Sequence, residues 1–89
     1  MTPSKEAVLL RLQRLAAQVL ALDLTEAELR ALTRLDEVSG LDSLNVVEFV
    51  VGVEREFGIR FEAAEIGRAT VADLPALAER VVRHLAAAC

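Results

Sequence analysis

Apolar residues recur at spacings of three and four along most of this chain, the period of helices that bury one face. Val8, Leu12, Leu15, Val19 and Leu22 form the first stripe. Thr2 or Ser4 can cap it, and Pro3 suits a first-turn position, so a helix is predicted over about 4–22. Residues 23–41 make a long connection. Within it Thr25 and Glu28 stand at capping-box spacing ahead of Leu29 and Leu32, which predicts a helical turn or two. Leu24, Leu35, Val38 and Leu41 are expected to pin the rest of the connection to the core, and Ser39-Gly40 marks a turn before the next element.

That element runs over about 43–57, with Asp42 as N-cap and Gly58 as the residue that ends it. Valines at 46, 47, 50, 51 and 53 favour strand, so a short buried strand competes. Length and the signals at both ends decide for helix. A short third helix or turn fits residues 62–67. Thr70, with Asp73 three residues on, is expected to cap the last helix, whose stripe is Val71, Leu74, Leu77, Ala78, Val81 and Leu85. Pro75 falls in its first turns, where a missing amide is tolerated. The expected fold is all-α: a small four-helix bundle, with three main helices, a short third and a long loop between the first two. Residues 1–89 read as a single domain.

Composition narrows the partners. Hydrophobic residues are 54% of the chain but aromatics only 3%, so the core must be aliphatic, built around Phe49, Phe57 and Phe61. Such a chain offers little flat surface for stacking bases. The net charge is −4, and residues 36–65 concentrate it, with eight acids against two arginines. This argues against nucleic acid and for partners with basic docking surfaces, although a solvated acidic face reads the same way. Cys89 is the only cysteine and cannot form an internal disulfide; it reads as an incidental thiol. No apolar run approaches the roughly 18–20 residues of a membrane span. Lys5, Glu6 and Arg11 stand where a signal peptide would be apolar, so the cytoplasm is the default location; a monomer is expected.

The segment 43–57 carries more apolar surface than one core face needs. At roughly 100° per residue, Val46, Phe49, Val50, Val53 and Phe57 share one sector, while Leu44, Val47 and Val51 share another, bordered by Glu48, Glu54 and Arg55. Either the helix is buried on two sides, or the second stripe is a docking patch rimmed by charge. Ser43 stands beside that stripe in the first turn of its helix, which favours docking.

Ser39-Gly40-Leu41-Asp42-Ser43-Leu44, followed by Val47-Glu48-Phe49, resembles the Asp-Ser-Leu attachment motif of acyl carrier proteins. Glu54, Glu56, Phe57, Gly58 and Ile59 resemble that family's acidic helix and its exit, and Thr70-Val71-Ala72-Asp73-Leu74 its entry to the last helix. The resemblance covers residues from about 35 to 85. It implies that a phosphopantetheinyl transferase, using magnesium and coenzyme A, joins 4′-phosphopantetheine covalently to Ser43. The new phosphate would lie where a helix N-terminus favours negative charge. The arm's thiol would hold acyl groups as thioesters for synthases and acyltransferases of fatty-acid, polyketide or other secondary metabolism. Asp42 matches the residue ahead of the attachment serine, and Leu44, Val47, Glu48, Val51 and Glu54 match the partner-docking positions. Asn45 and Arg55 replace acids of the fatty-acid-synthesis pattern, and Glu62 replaces a common Pro, so a dedicated pathway fits at least as well as the housekeeping one.

Three rivals stand beside this reading. A serine enzyme would need a base for Ser43; the only histidine, His84, reads as a cation offsetting the dipole at the end of the last helix. Neither a nucleophile-elbow motif nor a His/Cys/carboxylate cluster for a metal is visible, so no catalytic or metal residue is assigned. A peptidyl or aminoacyl carrier would share the fold and the modified serine. An unmodified interaction module would keep the bundle alone.

Overall fold

Ser4 opens the first helix: its hydroxyl accepts the Ala7 amide at 3.2 Å, and α1 runs from Lys5 to Val19. The computed structural model describes residues 2–36 and 42–87, apart from the side chain of Arg68. The expected last turn of α1 is absent because Ala21 takes a left-handed φ of 53°. With Ala21 there, its amide reaches the Gln18 carbonyl and the Leu22 amide the Ala17 carbonyl, so the chain reverses and the helix closes early. The capping box read at Thr25 and Glu28 is formed reciprocally and opens α2, Glu26–Ala31.

Helix α3 is Ser43–Phe57, as the caps predicted, ending at Gly58 with φ 65°. A 3₁₀ turn, Ala63–Glu65, follows where a short helix or turn was expected. The last helix departs from expectation. Thr70 lies inside a separate short helix, α4 (Arg68–Ala72), and α5 (Leu74–Ala87) begins after it. The break arises because the Leu74 amide donates to the Thr33 carbonyl at 3.0 Å, while the Leu35 amide donates to the Ala72 carbonyl at 2.8 Å. These two bonds form an isolated antiparallel bridge at Arg34 and Asp73, which holds Asp73 extended. The capping assigned to Thr70 falls instead to Asp73, whose carboxylate accepts the Ala76 amide at 3.2 Å. Pro75 then sits in the first turn of α5, where its lost donor costs little.

Helix α1 packs against both α3 and α5, and the core lies between them. Val8, Leu12 and Ala16 meet Phe49, Val50 and Val53 from α3 and Leu74, Leu77, Ala78 and Val81 from α5. Val46, Phe57 and Leu85 join from the edge, half-buried. Leu35 is fully buried and Leu24 half-buried, as expected of anchors in the connection; Val38, Leu41 and the Ser39-Gly40 turn lie outside the described residues. One buried polar residue was not foreseen. Gln13, 3% exposed, donates to the carbonyls of Arg30 and Leu32 at 3.0 and 2.9 Å, tying α1 to the end of α2. Helix α1 passes over Gly52, where a Cβ would stand in contact with the Leu15 side chain at 3.4 Å.

Candidate functional site at the start of α3

The first turn of α3 is closed by its own cap. Asp42 is extended, and its carboxylate accepts the Asn45 amide at 2.9 Å while its carbonyl accepts the Val46 amide at 3.0 Å. Ser43 is the first helical residue and is exposed. Its amide and that of Leu44 precede the first hydrogen bond of the helix, so the end of α3 presents donors to solvent. Among the described residues no side chain hydrogen-bonds the Ser43 hydroxyl. A free hydroxyl there suits esterification by a second protein, and a phosphodiester on it would meet free amides and the positive end of the helix dipole.

The two faces of α3 separate cleanly. Phe49, Val50 and Val53 are buried, whereas Leu44, Val47 and Val51 are 66%, 58% and 39% exposed. The second stripe therefore faces solvent, and the alternative of burial on two sides falls away. Leu44, Val47 and Val51 are also the large hydrophobic residues that stand exposed among the described residues. Glu48 is exposed beside them. Glu54 is half-buried and partly engaged, its carboxylate accepting the Phe61 amide at 2.9 Å, so it fastens the segment after Gly58 as well as bordering the stripe.

Two shallow grooves flank this helix. One, of about 220 Å³, is lined by Val46, Val47, Val50, Val51, Glu54 and Ile66. The other, of about 480 Å³, is lined by Val51, Glu54, Arg55, Gly58, Ile59 and Arg60 at the far end of α3. Ile66 and Arg60 were not singled out from sequence, because both follow the turn at Gly58 and reach α3 only through tertiary packing.

His84 is occupied elsewhere. Its Nε2 lies 3.0 and 3.1 Å from the Glu65 carboxylate oxygens, and its ring meets Phe61 edge-on at 5.2 Å. It stands in the last turn of α5, as expected of a residue that offsets the helix dipole. The Glu65 carboxyl is held below its ordinary value, first by the Glu62 amide and then by His84. Among the described residues no group of three or more His, Cys, Asp or Glu side chains could hold a metal ion, and no helix is long and apolar enough to cross a membrane.

Neither a curated protein nor a solved structure gives a significant match to the chain. The family model described as the phosphopantetheine attachment site does match, over residues 10–78, and so takes in most of α1, all of α2, α3 and α4, and the start of α5. Carrier domains of this kind are not themselves catalytic; they hold a covalent 4′-phosphopantetheine group on which other enzymes act. An all-helical fold with a capped, solvent-facing α3 agrees with that match, and the chain belongs to the phosphopantetheine-attachment family of carrier domains.

Proposed function

We propose that Ser43 is the attachment residue and that the chain works as an acyl carrier protein. The observation that supports this most directly is a free, exposed serine at the first position of a capped helix, within the span of the family match. Ser43 supplies the hydroxyl that a phosphopantetheinyl transferase esterifies from coenzyme A. Asp42 fixes the turn that presents it. The bound arm supplies a thiol that holds the cargo as a thioester. Leu44, Val47 and Val51 form the apolar patch for the transferase and the acyl-processing enzymes, with Glu48 and Glu54 meeting basic residues on them. An acyl rather than aminoacyl cargo is favoured by the acid-rich α3 and the Leu41-Asp42-Ser43 approach to it. Work as a monomer in the cytoplasm completes the proposal.

Intact mass spectrometry tests it. Incubation with coenzyme A and a broad-specificity phosphopantetheinyl transferase should add one phosphopantetheine to the wild type and none to Ser43→Ala. A gain that survives the substitution moves the attachment to another residue, and an unmodified wild type returns the chain to the class of interaction modules. Analysis of the groups that accumulate on the loaded protein in cell extract separates acyl from aminoacyl cargo.

A further inference from the structure

Among the described residues, five arginines are answered by a nearby carboxylate. Arg11 pairs with Glu56, Arg14 and Arg30 with Glu26, Arg34 with Asp36, and Arg80 with Glu65. Arg55, Arg60 and Arg83 are exposed and have no ion-pair or hydrogen-bond partner among the described residues; of these, Arg55 and Arg60 stand together, both lining the groove at the far end of α3. Two cations left open in one groove form a place for an anion.

The groove is aligned with Ser43. At 100° per residue, Ser43, Val47, Val51, Glu54 and Gly58 follow one another along one strip of α3, and Val51 and Glu54 line both grooves. Val47 and Val51 therefore lie along α3 between Ser43 and the groove that Arg55 and Arg60 line, with Glu54 beside them. The rise from residue 43 to residue 55 is about 18 Å at 1.5 Å per residue. A phosphopantetheine arm has about 13 bonds from phosphorus to sulfur, about 16 Å extended at the backbone's ~1.2 Å per bond. A short acyl group then covers the remaining distance.

We infer that the Arg55–Arg60 groove holds the free carboxylate of a dicarboxylic acyl group, of malonyl to glutaryl length, carried on the protein's own arm. This rests on attachment at Ser43. The methylene part of the cargo lies against Val47 and Val51, and the terminal carboxylate meets the two arginines. Glu54 lies on the path and opposes the anion; its carboxylate is turned to the Phe61 amide, and two cations outweigh it. Pairs this exposed are individually weak. Tethering supplies an effective concentration of about millimolar, enough for a partly populated, rapidly exchanging contact. The contact would distinguish carboxylated from neutral cargo before any enzyme docks.

The test loads ¹⁵N-labelled full-length protein with succinyl- or butyryl-phosphopantetheine from the corresponding coenzyme A thioesters, with loading confirmed by intact mass. The succinyl form should shift the Arg55 and Arg60 Nε–H signals and the amides of residues 58–60, relative to the butyryl form. The difference should fade in about 0.5 M salt, where screening is short-ranged, and vanish in the Arg55→Gln/Arg60→Gln variant, with far-UV circular dichroism confirming its fold. Identical spectra for the two cargoes, or a difference that persists in the double variant, overturn the inference while leaving attachment intact. Absence of the mass gain removes the attachment reading, and the inference with it.

Discussion

Gln13 shows how one side chain can hold two elements. Its amide gives both protons to carbonyls at the end of α2, where the helix itself offers no donors. Gln13→Leu keeps the bulk but leaves those carbonyls without partners in a half-buried place, so stability should fall by about 1–3 kcal/mol. Urea denaturation checks this: the midpoint should drop with an unchanged slope. An unchanged midpoint would mean that water replaces the side chain. This contact was not legible in the sequence, because a polar residue beside Leu12 reads as surface until the carbonyls it meets are known. Asp42 and Thr25 were legible, since each caps an amide only three residues away.

The same contrast between local and distant partners holds for whole elements. Helix α3 was readable to the residue because its cap, its terminator and its two apolar stripes all lie within one stretch of chain. The break between α4 and α5 was not, because it depends on carbonyl and amide groups near residue 34. The readable stripes support a firm expectation about α3. Val51→Asp or Glu48→Lys should lower turnover by partner enzymes by about tenfold or more, the factor that goes with 1.4 kcal/mol, while far-UV helicity stays nearly unchanged. Loss of helicity would place these side chains in the core, contrary to their exposure. Phe49→Ala is the opposite control: it removes a buried ring and should cost about 3–5 kcal/mol of stability.

Over the whole molecule, charge couples the fold to acid. Glu65 joins the 3₁₀ turn to α5 through His84 and Arg80, and its carboxyl is held below the ordinary value of 4.5. A carboxyl whose folded value is depressed stabilises the fold above its unfolded value; that contribution is lost as pH falls through the folded one. Stability owed to Glu65 should therefore be present at neutral pH and decline below about pH 4.5, with Glu28 and Glu79 shifted in the same direction. Urea midpoints measured from about pH 6 to about pH 3 should fall less steeply for Glu65→Gln than for wild type. Equal slopes would remove Glu65 from the acid response. The sequence displayed the acid-rich middle of the chain but not which acids are engaged, since His84 and Glu65 stand nineteen residues apart.

The bridge at Arg34 and Asp73 alters how the molecule opens. A gap between two helices is ordinarily a place where fraying begins, yet the Ala72 carbonyl and the Leu74 amide on either side of this one are bonded to a strand-like segment far away in sequence. Loosening α5 at its start must therefore release residues 33–35 in the same event, and Leu35 leaves the core with them. Residues 33–35 of the connection and the beginning of the last helix thus behave as one cooperative unit, and the Leu35 and Leu74 amides should exchange their protons with solvent together.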